Sequence, residues 1–343
     1  MGSVSENVFH SFRISVNNMR ENCFTYQMLV DGERLPYQVN DKNSYVGNSL
    51  IITENIDWSI GSGFSLSSIT GFQYLVDTIR MDTDFSIRDY FTLTQSQHRS
   101  RFTEELRLTY SDSANMLHTF GISLLYDNNS PFRADVQFKR DGINDMILSN
   151  IVSNLPSYVE YDILDDVLDI PSIFTECRTD IGLFYYLNWV DFIAKDISLW
   201  CMLRANYMRH SLDYSSGAKL TQSYDISYMG NVVNDIIDTD YLLVGGVSES
   251  DFIITPKLLL SKRSLIGDFH LGYKYGIKSG GYNVQMMSDI SQSNVRSLMI
   301  SGLKSSIYDE LTSAGMPSQV VNNVILSNIP DYRSFDGDIA SHI

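Results

Sequence analysis

The chain has 343 residues and a formal net charge of −16, a length that suits one large β domain or two ordinary ones. The acidic balance argues against nucleic acid as a partner, because binding phosphates requires a basic surface. No apolar run approaches the roughly 18 residues that a membrane helix needs, so any membrane crossing must be by strands. The three cysteines, Cys23, Cys177 and Cys201, indicate neither a disulfide framework nor a metal site, since their number is odd and CxxC spacing is missing.

Nine segments of roughly eleven residues alternate apolar and polar side chains along the chain. In 49–60, Leu50, Ile52 and Trp58 share one face opposite Thr53, and Glu54 is an exception on the apolar face. Period-two alternation places the two sets on opposite sides of a sheet. The predicted strands are 8–18, 49–60, 64–77, 98–110, 116–127, 178–190, 197–212, 251–263 and 268–279.

The connections between these strands alternate between short and long. Gly61-Ser62-Gly63 makes the first tight turn, because glycine supplies the positive φ of hairpin loops. Strands of about 9–11 residues with tight turns at one end and long loops at the other are typical of an outer-membrane β-barrel. A soluble β-sandwich also alternates, but its strands are usually nearer five or six residues and it rarely carries several long, structureless excursions. The predicted long connections are 19–48, 78–97, 128–177, 213–250 and the residues after 279.

The polar faces of the predicted strands carry charges such as Glu105 and Arg107. We interpret them as a wet lumen wall and not as a binding site, because the interior of a wide barrel is solvated.

Three stretches within the long connections have helical spacing or a helix-start signal. They are 141–151, 295–311 and 318–326, the last one following Pro317. Such helices could contact a ligand or a surface partner protein, but self-packing of a large loop is the favoured interpretation.

Other groupings of polar residues give no indication of an enzyme. The cluster of Asp162, Asp165, Asp166 and Asp169 could attract a cationic ligand, but without calcium-loop spacing a solvated acidic loop is favoured. The six histidines are scattered, and no H-E-x-x-H, phosphate loop or G-x-S-x-G is present. The sequence therefore predicts no catalytic, cofactor-binding or metal-binding residues and no cofactor, and it leaves the ligand-binding residues undetermined.

Four stretches together resemble one family. The stretches are similar to strand motifs of TonB-dependent outer-membrane receptors and follow one another in the same order as in that family. They are 67–72 (SSITGF), 102–109 (FTEELRLT) with 121–126 (GISLLY), 255–258 (TPKL) and 276–283 (GIKSGGYN). The resemblance covers about 49–283. It implies an all-β, antiparallel, up-and-down transmembrane barrel, of which 1–343 would be one part.

The chain also departs from this family. The family's "G-x-R" strand reads Met202-Leu203-Arg204 here, so its glycine is missing. The family's barrel has about 22 strands, whereas this sequence predicts nine. The N-terminal plug and an aromatic C-terminal strand have no counterpart, and 1–20 contains no secretory leader. We therefore expect a middle part of a receptor whose true N-terminus precedes this sequence, forming an open, curved sheet.

The resemblance implies a function for the parent protein in the outer membrane of a Gram-negative bacterium. It would take up a bulky, scarce solute such as a siderophore–iron complex, cobalamin or an oligosaccharide. Its expected partners are membrane lipid, a TonB-type coupling protein reached through the missing plug, and a surface lipoprotein at the loops. The alternative is a secreted or surface β-protein that binds glycans or other proteins.

Overall fold

A computed structural model gives the fold of the chain. It describes residues 2–5, 7–22, 29–34, 43–82, 84, 88–112, 115–228, 230–276 and 284–331. Cys23 and the end of the last predicted strand, 277–279, lie outside the described residues, as does most of the 276–283 motif.

Most of the described residues lie in β-strands, and the helices occupy two connections. The strands are β1 (Gly2–Ser5), β2 (Val8–Glu21), β3 (Leu29–Val30), β4 (Glu33–Arg34), β5 (Ser44–Gly61), β6 (Phe64–Asp82), β7 (Phe91–Ser111), β8 (Met116–Lys139), β9 (Val159–Ile163), β10 (Val167–Trp189), β11 (Ile197–Tyr228), β12 (Asn231–Ser264) and β13 (Gly267–Lys274). The helical segments are α1 (Arg140–Gly142), a π-helix (Ile143–Leu148), α2 (Ser149–Val152), α3 (Val284–Ser313), α4 (Ser318–Val320), a second π-helix (Val321–Ile325) and a 3₁₀ turn (Leu326–Asn328).

One antiparallel sheet contains all the long strands, in the order β1-β2-β5-β6-β7-β8-β10-β11-β12-β13. β9 pairs with β11 beyond the point where β10 leaves it, and β3 and β4 form a separate hairpin. Within the described ranges, β1 and β13 have no pairing with each other, so the sheet is open. The predicted all-β, antiparallel, up-and-down sheet with consecutive long strands adjacent is confirmed.

Each predicted strand overlaps a strand of the structure, and the ends at the short turns agree closely. The ends at the long connections do not. The last predicted strand, 268–279, extends too far, because β13 ends at Lys274 and Tyr275 and Gly276 lie outside it. β11 runs to Tyr228 and β12 begins at Asn231, and these two residues pair across a two-residue turn. The predicted long connection 213–250 was therefore wrong, because both strands continue through it.

All three predicted helical stretches are helical. α3 and the segments that follow it pack with the 140–152 segment and with the far ends of the long strands, which agrees with the favoured self-packing interpretation. We call these helices together the helical cap. The buried core that they form with the sheet includes Phe138, Ile143, Ile163, Leu168, Leu220, Tyr224, Ile226, Met299, Leu303, Ile307 and Ile325.

Candidate functional site

The two faces of the sheet differ, and each changes character partway along the strands. We call the face that carries Trp58, Leu108 and Tyr273 face A, and the opposite face face B. The change occurs near a transverse row of register partners on face B, the boundary row: Arg101, Asp127, Arg178 and His210. The part of each strand on the short-turn side of this row is the turn-proximal half, and the remainder is the loop-proximal half.

Face A of the turn-proximal half is apolar and exposed from β2 to β13. Trp58 is 46%, Leu108 39% and Tyr273 64% exposed. These side chains therefore have no protein covering among the residues described. We call this set the apolar band: Phe12, Ile14, Val16, Ile56, Trp58, Leu106, Leu108, Phe120, Ile122, Ile181, Leu183, Leu203, Ile254, Leu258, Leu260, Phe269, Leu271 and Tyr273.

Aromatic side chains lie at both edges of the apolar band, near the short turns and near the boundary row. Near the turns, Phe64 stacks on Tyr110 with ring centroids 4.5 Å apart, and His118 Nδ1 lies 2.9 Å from the Tyr185 hydroxyl. Near the boundary row lie Tyr74, Phe102 and Tyr126. Tyr207 and Phe252 lie nearer the turns, in the transverse row of Ile181 and Glu104. Ten residues separate Phe64 from Tyr74; at about 3.3 Å per residue and a tilt of about 40°, they span about 25 Å of height.

Face B of the turn-proximal half is polar. Arg107 pairs with Glu105, Arg178 Nη2 donates to Asp180 at 2.6 Å, and His210 Nε2 lies 2.8 Å from Glu176. The predicted wall residues Glu105 and Arg107 are thus part of a larger set of paired charges on one surface, the polar wall. In each of these three pairs an acidic side chain lies beside a basic one or a histidine on the same face.

Arg204 also lies on the polar wall, but its guanidinium group contacts neutral side chains. Its Nε and Nη2 donate to Asn206 at 2.8 Å and Ser123 at 2.9 Å, and its Cζ lies 5.9 Å from the centre of the Phe184 ring. The Phe184 ring covers Gly121, where a Cβ would come within 2.0 Å of the ring. The absent side chain at this position lets the ring lie flat on the wall.

Asp127 marks the upper limit of the polar wall. Its side chain is 9% exposed and accepts hydrogen bonds from two arginines: Arg99 donates at 2.6 and 2.8 Å, and Arg101 at 2.6 and 3.1 Å. One carboxylate thus holds two guanidinium groups from the neighbouring strand. Directly beyond it the wall becomes apolar, beginning with Phe132 and Phe174, whose ring centroids are 5.6 Å apart.

On β8 to β12, face B of the loop-proximal half is apolar and covered by the helical cap. On β11 the residues that point into the core are Ala218, Leu220, Tyr224 and Ile226. On β8 one extra residue at Ser130–Pro131 shifts the register against both neighbouring strands. After this bulge the even-numbered residues of β8 lie on face B instead of face A. Face A becomes largely polar in this half, although β12 keeps exposed apolar side chains there: Val232, Ile236, Leu242 and Val244.

Polar contacts fix the helical cap to the sheet. The Tyr224 hydroxyl lies 2.8 Å from Ser306 Oγ, and Ser306 donates to Asp235 at 2.8 Å. Tyr161 donates to Gln222 in the buried core. Burial raises the pKa of Tyr161 and also that of Tyr224, so both tyrosines are neutral, structural groups.

The predicted acidic loop is bound into the fold. Arg140 Nη2 donates to Asp162 at 3.0 Å, Asp165 accepts from the Thr221 backbone at 2.6 Å, and Gln137 donates to Asp169 at 2.8 Å. The favoured solvated loop was therefore only partly right, because these carboxylates have specific structural partners.

Neither a metal-binding group nor a membrane-spanning helix is found among the residues described. No group of three or more His, Cys, Asp or Glu side chains there has the arrangement to hold a metal ion. No helix there is long and apolar enough to cross a membrane.

Sequence inspection missed the loop-proximal core, although the sequence contained a signal. Residues 218–226 place apolar or aromatic residues at the even positions apart from Gln222, whereas 197–207 place them mainly at odd positions. This switch in parity marks the exchange of faces.

Comparison of the sequence with models of known protein families and with curated proteins finds no match.

Proposed function

We propose that this chain contributes part of the wall and outer vestibule of a receptor in a bacterial outer membrane. The parent protein takes up a bulky, scarce solute by a TonB-dependent, energy-coupled route. The observation that carries this proposal is the exchange of faces along the same strands. An apolar band about 25 Å tall with aromatic borders has the dimensions that an outer membrane requires of a barrel.

The polar wall supports the transport part of the proposal. A lumen wide enough for a large solute is filled with water, and charged side chains are stable on such a surface. The helical cap lies on the same face, at the loop end of the strands. In a closed barrel it would therefore stand over the mouth of the lumen, where a receptor meets its solute.

The binding alternative makes a different prediction about the apolar band. A glycan-binding or protein-binding surface needs one cluster of aromatic side chains, whereas here Trp58, Phe120 and Phe269 are spread over an exposed apolar face that extends from β2 to β13. A secreted β-protein would also stay in solution without detergent. An exposed apolar face across all the long strands would cause such a protein to aggregate.

Uptake in cells tests the proposal. In a Gram-negative bacterium that encodes the chain, we expect deletion of its gene to abolish uptake of one labelled solute at limiting concentration, tested with a ferric siderophore, cyanocobalamin and a maltooligosaccharide. A protonophore should reproduce the loss, since the inner membrane supplies the energy. Uptake of all three solutes that is unchanged by the deletion would contradict the proposal.

A further inference from the structure

A polar patch interrupts the apolar band on four adjacent strands. It consists of His10 on β2, Glu54 on β5, Ser68 and Thr70 on β6, and Glu104 on β7. Register places Glu54, Thr70 and Glu104 in one transverse row on face A. Its neighbours on the same face are the apolar side chains of Phe12, Ile14, Ile56 and Leu106.

The patch lies near mid-height of the apolar band. Thr70 is six residues from Phe64 at the turn-side border and four from Tyr74 at the other border. A carboxylate facing lipid at this depth is destabilising, and polar groups within a membrane are generally retained where they have a partner or a function. The patch therefore requires an explanation that an ordinary lipid-facing position does not.

The two carboxylates of the patch have different surroundings. Glu54 accepts from His10 Nε2 at 2.9 Å. Glu104 accepts only from hydroxyl groups in the described contacts, from Ser68 at 2.8 Å and Thr70 at 2.5 Å. The imidazole thus lies at one side of the patch, and the carboxylate bound only by neutral donors lies at the other.

This asymmetry is self-complementary under two-fold symmetry. In an isologous contact, residue i of one copy meets residue j of the other, and the reverse. Three strand spacings of about 4.8 Å separate β2 from β7. A two-fold axis between β5 and β6, near Ile56 and Ser68, would bring β2 of each copy opposite β7 of the other. His10 then faces the row of Leu106, two residues along β7 from Glu104 and within reach of its side chain.

We propose that face A of β2–β7 is the interface between two copies of this chain within the membrane, with the polar patch at its centre. The small side chains of Ser68 and Thr70 allow close approach, and hydroxyl and carboxylate groups hydrogen-bond across such contacts. A strip four strands wide and about 25 Å tall has a projected area of about 480 Å² per partner, so two copies would cover about 960 Å² in total, close to the roughly 1,000 Å² that a specific interface needs.

Cysteine cross-linking in native membranes tests this proposal, which rests on the proposed membrane location. Cys23, Cys177 and Cys201 are first changed to serine in the full-length protein. Ile56→Cys then places a thiol near the two-fold axis. Leu183→Cys is the matched control, because Ile56, Ser68, Leu106, Ile122 and Leu183 are register partners in one transverse row.

On mild oxidation we expect a dimer of twice the monomer mass from Ile56→Cys, in about tenfold greater yield than from Leu183→Cys. Adding Glu104→Gln should lower the Ile56→Cys yield by about tenfold, since it removes a charge-assisted contact. Glu160→Gln, on β9 and far from the patch, should leave the yield unchanged.

Equal yields from the two cysteines, a product of another mass, or a yield that Glu104→Gln leaves unchanged would each overturn the interface. A fluorophore on Leu183→Cys separates this failure from that of the membrane location. Quenching by nitroxide lipids with no Ile56 dimer would defeat the interface alone. No quenching at Leu183 would defeat both.

Discussion

The turn-proximal and loop-proximal halves are built from the same strands but bury opposite faces. In the turn-proximal half the apolar side chains of face A have no covering, and face B is a wall of paired charges. In the loop-proximal half face B of β8 to β12 is apolar and packs under the helical cap, while face A turns largely polar. The first half leaves an apolar face exposed, as the proposed membrane location requires, and the second packs an apolar face against helices.

The comparison shows that a change in the parity of the apolar residues moves them from one face of a strand to the other. On β10 the exposed Ile181 and Leu183 lie at odd positions, whereas the buried Leu168, Ile170 and Phe174 lie at even positions. Since a shift of one residue moves a side chain to the other face, this change alone exchanges the faces. On β8 the extra residue at Ser130–Pro131 achieves the same result.

The largest expected effect comes from the helical cap. Leu303 is fully buried, so Leu303→Ala should destabilise the loop-proximal half by about 2–5 kcal/mol through lost contacts and a residual cavity. Hydrogen exchange along α3 measures it. Leu298→Ala, on the same helix but 39% exposed, should cost much less, and equal effects would refute a cap that is packed as described.

A charge on face A of the turn-proximal half should have the next largest effect. Ile254 lies on face A and Thr255 on face B, one residue apart on β12. We expect Ile254→Lys to destabilise the protein folded into lipid vesicles by about 2–4 kcal/mol, because the ammonium would face lipid. Thr255→Lys should have little effect. Denaturant titration in vesicles measures both, and similar costs would remove the distinction between the faces.

The boundary between the halves depends on Asp127. Asp127→Asn leaves two neighbouring guanidinium groups without their shared anion. Loss of a buried pair is strongly destabilising, but Arg99 and Arg101 are each 39% exposed, so solvent screening reduces the expected cost to about 1–3 kcal/mol. Thermal unfolding compares this variant with Asp57→Asn, a more exposed position on the same wall. A smaller cost for Asp127→Asn would contradict a structural role at the boundary.

The smallest expected effect is a pH dependence in the loop-proximal half. Burial, with Asp169 nearby, raises the pKa of Asp135 above its usual value of 3.8. A raised pKa in the folded state means that Asp135 stabilises the fold fully below pH 3.8 and that this contribution is lost as pH rises through the folded-state pKa. Asp135→Asn should therefore gain stability relative to the parent as pH rises. Thermal unfolding of both proteins from below pH 3.8 upward measures the difference in their stability. A difference that does not change with pH would show that the pKa of Asp135 is not raised.

The sequence predicted the turn-proximal half well because its signals are local. Gly61 and Gly63 have positive φ in the turn, as the glycine spacing indicated, and the alternation around Trp58 is nearly unbroken. The loop-proximal half was harder to predict. On β12 the pairs Val232–Val233, Ile236–Ile237 and Leu242–Leu243 place apolar residues on both faces and hide the period of two. The cap's position over face B depends on packing between α3 and strands far away in the chain.

The polar patch was visible in the sequence only as an irregularity. Glu54 breaks the alternation of its strand, but its contact with His10 joins residues 44 positions apart. Glu104 lies beside Glu105 in the sequence, and only the register of β7 shows that the two carboxylates point to opposite faces. Pairing between strands, which a single sequence does not state, was needed to bring these residues together.

A lipid-accessibility scan along β11 tests the exchange of faces most directly. Spin labels placed singly from 203 to 220 on the protein in outer-membrane lipid should be accessible to a lipid-soluble relaxation agent at Leu203 and Tyr207, but not at Arg204 or Asn206. Beyond His210, Lys219 should be accessible only to a water-soluble agent. Lipid accessibility that continues with the same period to Lys219, or that is missing at Leu203, would contradict the account.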